Sequence, residues 1–397
     1  MRVLILQDSN WYKSNPMQQF HLGERLAKRG HDVVYFCTEL TREKSRKVIF
    51  STRFKIEKSM TIDSQKIGVL LPPYLNLPII FHFSYPLFIF IALLRFMKAY
   101  KPHIVCNWGI VVGFIGLISS KITKTIFLHY TIDRLYKMTK MKVIERPLME
   151  LERLLITFSD YNFVISHGLM VYVKSLAYKK RKIHILPGGV DVKGYQKPHF
   201  RERYRSIYNL KQEEVCLFYM GWIYEFSGII EVAKLICTSN ENNPFKLLVV
   251  GDGDVMEELK TISKSCTKII LTGQVPFSEI RKIIQAADIC LLPAYPNELM
   301  SNVVPIKMYE YLAARKPVIS SKLAGVYHEF KENNGVVYIE SYNEFMDTIN
   351  NILHNYKKHI RDAEQFIRKY DWDFLVNEFE NSLKSIISKR TKEELWV

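Results

Sequence analysis

Short apolar runs alternate with longer amphipathic segments along the chain. In the second half, the apolar runs predict six strands, at 215–220, 246–250, 268–271, 289–292, 318–320 and 336–339. The segments between them, such as 254–265 and 277–287, carry apolar residues at helical spacing. Strands that alternate with helices of this length indicate crossover connections. The second half is therefore predicted to be an α/β domain with a doubly wound parallel sheet.

The first half repeats this alternation. Apolar runs at 1–6, 33–36, 103–107, 125–130 and 161–166 predict another parallel sheet, and the Gly188-Gly189 turn closes it. We therefore expect one domain over 1–190, joined by a last helix over 372–390, and a second domain over 191–371. The apolar stretch 79–97 is interrupted by polar residues, so it predicts either a buried helix or a segment resting in a membrane interface.

The stretch 301–321 combines the features of a ligand-binding loop and helix. Ser301 and Asn302 are favourable N-cap residues, and Pro305 suits a first helical turn. Lys307 and Glu310 lie three residues apart, on one helix face. A loop that enters a helix N-terminus presents N–H groups to an anion, and a carboxylate one turn later can bind sugar hydroxyls. The alternative is an amphipathic helix with a solvated Lys–Glu pair.

The positive charge of the chain is confined to its first half. The 397 residues carry a net charge of +16, and residues 1–200 contain 31 Lys and Arg against 13 Asp and Glu. The remainder contains 25 against 27. This asymmetry predicts an anionic partner for the first half, either nucleic acid or an acidic membrane surface. The chain lacks a recognisable nucleic-acid-binding module, which favours the membrane.

The cysteine pattern indicates a reducing compartment. None of the six cysteines belongs to a C-x-x-C pair, and several lie in apolar strand-like runs: Cys37, Cys106, Cys216, Cys237, Cys266 and Cys290. We expect reduced thiols in a cytoplasmic protein. The first strand begins at the N-terminus, so no signal peptide is expected.

Five segments resemble those of the family 4 glycosyltransferases, in the same order and spacing: LAKRGHDVVYF, KIHILPGGVD, KLLVVGDGDVMEELK, IILTGQVPFSEIRKIIQAADICLLP and KMYEYLAARKPVIS. That family consists of retaining enzymes of GT-B fold. The resemblance implies two Rossmann-like domains facing a cleft, with a nucleotide sugar on the C-terminal domain and an acceptor on the N-terminal domain. It also implies that the last helix, in YDWDFLVNEFENSL, returns to the N-terminal domain, and that no metal or other cofactor is required.

The resemblance assigns roles at the donor site. Glu310 matches the second Glu of the family's Glu-x7-Glu motif and would hold the ribose hydroxyls. Asn302 replaces the first Glu, and Glu298 in the same loop is a substitute. The family's diphosphate-binding Arg and Lys are replaced by Trp222 and Ser227.

The diphosphate is then expected to meet the helix N-terminus at Gly228 and the ammonium group of Lys307. Asp254, in the Gly-Asp-Gly-Asp turn, is interpreted as the cap of the next helix rather than as a metal ligand. The remaining donor-site candidates lie in loops at strand ends: Gly221, Tyr224, Gly251, Gln274, Val275, Val303 and Val304.

Two features of the first domain are expected near the reacting groups. His129 ends a strand, and by resemblance it lies near the transferred sugar. The alternative is a hydrogen-bonded core histidine. The loop with Asn15, Gln18 and Gln19 would face the diphosphate and the acceptor.

Together these features predict a retaining hexosyltransferase that uses a nucleotide-diphosphate sugar and a glycan or lipid-linked acceptor, in cell-envelope polysaccharide or glycoconjugate synthesis. Its expected place is the cytoplasm, peripheral on the inner face of the cell membrane. His129, Lys307 and Glu310 are the candidate catalytic residues. Two alternatives stay open: a nucleotide-sugar epimerase of the same fold, which needs no acceptor, and a non-catalytic glycosyltransferase-like subunit.

Overall fold

The chain folds as two compact units. The computed structural model describes residues 1–12, 16–38, 48–49, 51–62, 65–75, 80–139, 141–178, 182–240, 243–297, 300 and 304–395. The first unit comprises Met1–Pro187 and Asp373–Val397, and the second comprises Gly188–Trp372. The predicted boundaries lie three residues after the first junction and one residue before the second.

The first unit is built on an eight-stranded sheet. The described strands of the unit, eight in this sheet and two in a separate pair, are β1 (Arg2–Asn10), β2 (Asp32–Thr38), β3 (Val48–Ile49), β4 (Arg53–Lys58), β5 (Lys66–Leu71), β6 (Tyr74–Leu75), β7 (Ile104–Asn107), β8 (Ile126–Thr131), β9 (Tyr161–Val164) and β10 (Ile183–Ile185). The sheet order is β10-β9-β8-β7-β1-β2-β5-β4, and β3 pairs separately with β6. All neighbours in the large sheet are parallel except β4, which runs antiparallel to β5 at the edge.

Helices cover both faces of this sheet at crossover positions. They are α1 (Gln18–Lys28), α2 (Ile80–Tyr100), α3 (Val111–Thr123), α4 (Lys142–Phe158) and α5 (His167–Leu176). The apolar stretch around 79–97 forms α2, whose Ile89, Leu93 and Met97 are buried in the core. One side of this helix is therefore buried, as the first interpretation predicts, while Leu87 and Ile91 are exposed. None of the helices in the described part of the chain combines the length and apolar character that crossing a bilayer requires.

The C-terminal helix (Trp372–Leu395) belongs almost entirely to the first unit, as predicted. Glu380 accepts hydrogen bonds from Arg29 at 2.9 Å and from His31 at 3.0 Å. Phe379 is fully buried and contacts the rings of Trp108 and Phe163 edge-on. Charged contacts with the end of α1 and apolar contacts in the core together hold this helix.

The second unit contains six parallel strands: β11 (Val215–Met220), β12 (Phe245–Val250), β13 (Ile269–Leu271), β14 (Ile289–Leu292), β15 (Val318–Ser321) and β16 (Val336–Ile339). All six were predicted. The sheet order is β13-β12-β11-β14-β15-β16. Apolar side chains fill both faces because helices cover both, which explains the continuous apolar runs. The helices are α6 (Val192–Tyr195), α7 (Arg201–Ile207), α8 (Ile229–Thr238), α9 (Met256–Ser265), α10 (Phe277–Ile283), α11 (Ile306–Ala313), α12 (Ala324–Phe330), α13 (Phe345–His354) and α14 (Tyr356–Ile367).

The expectation of six reduced cysteines is wrong for two of them. Cys237 in α8 and Cys266 after α9 form a disulfide, with Cα atoms 5.8 Å apart. The other four cysteines are buried free thiols. The pairing follows from packing of α8 against α9, a tertiary contact that spacing alone does not reveal.

Candidate functional site

The candidate donor site lies where the strand order of the second sheet reverses. The chain passes from β11 outwards to β12 and β13, and then returns to β14 on the other side of β11. In open parallel sheets, ligands bind outside the carboxyl ends of the strands at such a reversal. The loop after β11 and the loop after β14 touch here: a Cβ on Gly228 would lie 1.9 Å from the carbonyl oxygen of Pro293.

Backbone hydrogen bonds join the loops that follow β11, β12 and β13 into one surface. The N–H of Gly221 donates to Val250, and that of Gly251 donates to Gly273, each at 2.9 Å. Gly251 has φ of +141°, and a Cβ there would lie 2.0 Å from the carbonyl oxygen of Gly221. Glycine is therefore required at 251, because a side chain would push the first two loops apart.

Helix α8 begins at this surface without a side-chain cap. Its N-cap residue is Gly228, in the left-handed region at φ +69°. A Cβ at this position would collide with Pro293 and with the hydroxyl of Tyr342 at 2.0 Å. The first N–H groups of a helix have no partner within the helix, and the helix dipole favours negative charge there. The arrangement can accept an anionic group such as a diphosphate.

Lys307 and Glu310 both project from α11, but they face different surroundings. The Nζ of Lys307 lies 4.3 Å from the ring centroid of Tyr219, and a Cβ on Gly221 would lie 3.0 Å from it. Burial lowers the pKa of Lys307 to about 8, against the attraction of Glu310. Lys307 thus places a cation beside the loop after β11.

Glu310 is 8% exposed and accepts a hydrogen bond from the hydroxyl of Tyr195. Burial raises its pKa above the usual range, while that hydrogen bond and the charges of Arg281 and Lys307 lower it. Within the described residues, no ion pair joins Lys307 to Glu310. The alternative of a solvated Lys–Glu pair is therefore wrong.

Other predicted donor-site residues occupy the same edge of the sheet. Gln274 is exposed and Val275 half-buried, directly after β13. In the described part of the chain, neither peptide group forms a hydrogen bond, so both are available to a planar ligand edge such as a base. Tyr224 stacks on Phe226 with ring centroids 4.8 Å apart, just before α8.

Part of the predicted site lies outside the described residues. This applies to Asn15 in the first unit and to Glu298, Asn302 and Val303 in the second. Val304 is described and packs against the core beneath α11.

Two predicted helix caps are wrong. Helix α11 begins at Ile306 with Pro305 at the N-cap position, so Ser301 and Asn302 precede the helix by several residues. Helix α9 begins at Met256 without a side-chain cap. Asp254 instead accepts a hydrogen bond from the indole of Trp222 at 3.1 Å. Trp222 thus holds the loop that follows β12, although the resemblance implied a cation at position 222.

Sequence reasoning missed Tyr195 and Arg281. Tyr195 holds Glu310 from α6, and Arg281 lies over the Tyr195 ring, 5.2 Å from its centroid. The available signal was the aromatic residue four positions after Asp191 in the ILPGGVD segment. No sequence pattern predicts that Tyr195 contacts Glu310, which lies 115 positions later.

In the first unit, His129 lies inside the sheet core. It is 1% exposed, and its Nδ1 accepts a hydrogen bond from Asn107 Nδ2 at 2.9 Å. Because an amide nitrogen can only donate, the ring proton is on Nε2, and Nε2 has no partner. Burial lowers the pKa of His129 to about 4, so the ring is neutral at physiological pH. It can donate one hydrogen bond, but it cannot supply a positive charge.

The side chains of Gln18 and Gln19 are buried at the start of α1. Gln18 donates to the hydroxyl of Tyr130 at 2.5 Å and to the carbonyl of Pro187 at 3.1 Å. Gln19 donates to the side chain of Gln7 at 2.9 Å. Both amide groups form hydrogen bonds within the first unit, so the expectation that they face a ligand is corrected.

The strand-order reversal of the first sheet lies between β1 and β7, and a carboxylate of the chain occupies it. Asp8 accepts hydrogen bonds from the N–H groups of Ile110 at 2.7 Å, Val111 at 3.3 Å and Val112 at 2.9 Å. These are the first N–H groups of α3. Asp8 therefore caps the N-terminus of α3, whereas α1, the helix that follows β1, begins without a side-chain cap.

Two family models match the chain. Residues 19–193 match the model described as Glycosyltransferase Family 4, and residues 217–355 match the model described as Glycosyl transferases group 1. A Bacillus subtilis protein named as a teichuronic acid biosynthesis glycosyltransferase, TuaC, is 31% identical over 163 residues, which are 41% of this chain and 38% of that protein. An Escherichia coli protein, UDP-Gal:alpha-D-GlcNAc-diphosphoundecaprenol alpha-1,3-galactosyltransferase, is 23% identical over 59% of this chain and 62% of its own length. The matched segments thus span less than two thirds of either relative.

Solved structures match over almost the whole chain. Sucrose-phosphate synthase from Thermosynechococcus elongatus superposes with a TM-score of 0.73 at 15% identity, covering 98% of this chain and all of that one. HepE of Anabaena, in complex with UDP-glucose, superposes with a TM-score of 0.69 at 14% identity, covering 97% of this chain and all of that one. The fold is therefore GT-B, with two Rossmann-like units.

Proposed function

Because the chain belongs to the group 1, family 4 glycosyltransferases, we propose that it transfers a hexose from a nucleotide-diphosphate sugar to a glycan or lipid-linked acceptor with retention of configuration. The process it serves is the synthesis of cell-envelope polysaccharide or a glycoconjugate. The two curated relatives support this assignment by their names, one for teichuronic acid and one for a lipid-linked acceptor.

The observation that carries the proposal is the contrast between the two strand-order reversals. In the second unit, α8 begins uncapped at Gly228, and the Nζ of Lys307 lies beside Gly221. In the first unit, Asp8 already caps α3. A diphosphate therefore finds N–H groups together with a cation at the reversal of the second sheet, whereas at the start of α3 in the first unit it would meet a carboxylate. This favours the second unit as the donor-binding unit.

Each part of the donor then has a partner. The free peptide groups of Gln274 and Val275 meet the base, and Glu310 accepts hydrogen bonds from the ribose hydroxyls. The N-terminus of α8 and Lys307 meet the diphosphate. By resemblance, Asn302, Val303 and Val304 would meet the sugar. Fixed dipoles and the half-buried ammonium group of Lys307 stabilise the charge that develops on the leaving diphosphate, and such preorganised electrostatics is a large catalytic term. No metal is required in this scheme.

Retention would follow from attack on the same face that the leaving group departs from. The leaving diphosphate accepts the acceptor's proton, so the scheme needs no protein nucleophile. His129, neutral with its proton on Nε2, acts in it as a hydrogen-bond donor rather than as an acid or a cation.

The acceptor is assigned to the first unit at the inner face of the cell membrane. That unit carries all of the net charge, with 33 Lys and Arg against 17 Asp and Glu, while the second has 23 of each. Among the described residues, 17 of the 23 exposed large apolar side chains also belong to the first unit. Exposed apolar residues beside basic ones favour binding to an anionic lipid surface.

The start of α4 shows this combination most clearly. Met141 and Val143 are 62% and 85% exposed, and Ile144 is also exposed. Lys142 and Arg146 lie in the same two turns and are exposed as well. We assign this segment to the membrane interface.

A thermal-shift panel of UDP-, GDP- and ADP-sugars tests the donor assignment, because a ligand that binds the folded state raises its stability. UDP-sugars come first, since the Escherichia coli relative is named for UDP-Gal. We expect one class to raise the melting temperature, and Glu310→Ala to abolish both that shift and donor turnover. Full donor turnover by Glu310→Ala would refute the site.

Liposome flotation tests the membrane assignment. We expect binding to vesicles that contain anionic lipid, loss of binding at high salt, and weaker binding by Val143→Asp. Ile207→Asp is the matched control, because Ile207 is an exposed apolar residue of the second unit, at 53%. Equal binding by the two variants would rule out the α4 segment.

A non-catalytic subunit is the second candidate, and one observation favours it. Trp222 and Ser227 occupy the positions of the family's diphosphate cations, and the Trp222 indole is bound to Asp254. Hydrolysis of the nucleotide sugar by the isolated chain separates the two functions. A catalytic chain releases the nucleoside diphosphate slowly without acceptor, and Lys307→Met abolishes the release. A non-catalytic chain releases none.

A further inference from the structure

Contacts hold both the side chain and the backbone of Tyr195. It is 1% exposed, and its hydroxyl donates to Glu310 Oε1. Gln285 Nε2 donates to the backbone carbonyl of Tyr195 at 2.5 Å. The guanidinium carbon of Arg281 lies 5.2 Å from its ring centroid. A tyrosine held in this way presents its hydroxyl to Glu310 in one orientation only.

Arg281 is itself held by an ion pair. Its Nη1 lies 2.8 Å from Asp191 Oδ2, and Asp191 Oδ1 accepts the N–H of Gly194 at 2.9 Å. A Cβ on Gly194 would lie 2.1 Å from Asp191 Oδ2 and 2.7 Å from Arg281 Nη1. Glycine at 194 therefore leaves the space that the ion pair occupies. The contacts run from Gly194 through Asp191, Arg281 and Tyr195 to Glu310.

The contacts leave one carboxylate oxygen of Glu310 available. Oε1 accepts from Tyr195, while Oε2 accepts no hydrogen bond from the described residues, and the residue is 8% exposed. A buried carboxylate without a partner can rotate about its last side-chain bonds, and its hydrogen-bond direction is then undefined. Binding Oε1 removes this freedom and leaves Oε2 as the acceptor for a ligand.

We propose that Tyr195 is a positioning residue for the nucleotide: it fixes the Glu310 carboxylate so that Oε2 accepts from the ribose hydroxyls, and Arg281, Asp191 and Gly194 fix Tyr195 in turn. The inference rests on the proposed function, which assigns Glu310 to the ribose. It adds residues from α6 and α10 that the resemblance did not assign.

Tyr195→Phe tests the proposal, because it removes the hydroxyl and keeps the ring that packs on Arg281. Titration calorimetry is done with UDP, GDP and ADP, and then with the 2′,3′-dideoxy form of the one that the unmodified protein binds most tightly. We expect Tyr195→Phe to weaken binding of the ribonucleotide about tenfold, as for one hydrogen bond to a charged group. The dideoxy form should bind the variant and the unmodified protein within about twofold.

Two further variants test the series of contacts from Gly194 to Glu310. Gly194→Ala is expected to cause the same selective loss, although residue 194 does not contact Glu310. In a Glu310→Gln background, Tyr195→Phe should cause no further loss, because the oriented carboxylate is already gone. Tyr370→Phe is the matched control: its hydroxyl donates to Glu329 at 2.7 Å in the same unit. We expect it to leave both affinities unchanged.

The outcomes separate this proposal from the proposed function. Equal weakening of the ribo and dideoxy forms by Tyr195→Phe would mean a purely structural tyrosine, and no weakening of either would mean a dispensable hydroxyl. Either result overturns the positioning role and leaves the donor site intact. Absence of binding of UDP, GDP and ADP by the unmodified protein would overturn both.

Discussion

Two glycines of the second unit share one backbone conformation but differ in their surroundings. Gly228 has φ of +69° and Gly273 has φ of +68°. A Cβ on Gly228 would lie 1.9 Å from the carbonyl oxygen of Pro293 and 2.0 Å from the hydroxyl of Tyr342, whereas a Cβ on Gly273 would meet nothing within 4 Å. Replacing each by alanine therefore separates backbone strain from packing at the start of α8.

The expected free energies follow from these distances. Both variants pay about 1 kcal/mol because alanine disfavours a left-handed backbone. Gly228→Ala must also move the Pro293 backbone and break the hydrogen bond from Tyr342 to that carbonyl. These losses add roughly 2 to 3 kcal/mol. For a unit of this size, Gly273→Ala should lower the melting temperature by about 3 °C and Gly228→Ala by about 10 °C.

Calorimetric scans of both variants, without ligand and with the nucleotide sugar, provide the measurement. We expect only Gly228→Ala to abolish the stabilisation by ligand, because it displaces the N-terminus of α8. Gly273→Ala keeps the carbonyl that accepts from Gly251 and should retain most of the shift. Equal melting temperatures for the two variants would refute the packing argument. An undiminished ligand shift in Gly228→Ala would refute the placement of the diphosphate.

Three further expectations concern the first unit and can be checked by urea unfolding. Hydrogen bonds from Lys384 and Arg29 lower the pKa of Glu380 to about 2, so stability should fall as pH decreases from about 4.5 to 2, and Glu380→Gln should remove that fall. Burial lowers the pKa of His129 from 6.5 to about 4. As the pH falls, the unfolded chain therefore binds the proton before the folded one does, and the free energy of unfolding should decrease by about 3 kcal/mol from pH 6.5 to 4. A His129→Gln variant that kept the same dependence of stability on pH would contradict the argument. Asp8→Ala should cost about 1 to 2 kcal/mol, because three helix N–H groups lose their acceptor; an unchanged unfolding midpoint would show that water replaces it.

The strands that the sequence revealed are those buried on both faces. Continuous apolar runs bounded by polar turns predict such strands, and all six strands of the second unit were found in this way. The edge strand β4 and its neighbour β5 were missed. In β4, half-buried and exposed residues alternate, and Arg53, Lys55 and Lys58 make its sequence strongly basic. An edge strand needs only one apolar face, so its pattern is too weak to stand out from a charged loop.

The errors at helix ends have a common cause. Ser301, Asn302 and Asp254 have good capping chemistry, yet the helices begin elsewhere, at Ile306 and Met256. Capping preference is worth about 1 kcal/mol, less than the packing of a loop against its neighbours. In the second unit, the hydrogen bond between Trp222 and Asp254 takes up the carboxylate that would otherwise cap α9.

The motif at α11 shows how far a sequence can specify a site. The sequence spacing places Lys307 and Glu310 on one helix. In the structure, the ammonium group of Lys307 lies over the ring of Tyr219, and the carboxylate of Glu310 accepts a hydrogen bond from Tyr195. That divergence depends on β11 and α6, which lie far from α11 in the chain. A helix alone would let the two charges attract each other across one turn, worth only a few tenths of a kcal/mol. Contacts with two different aromatic side chains keep the ammonium group and the carboxylate apart, as their proposed roles on the diphosphate and the ribose require.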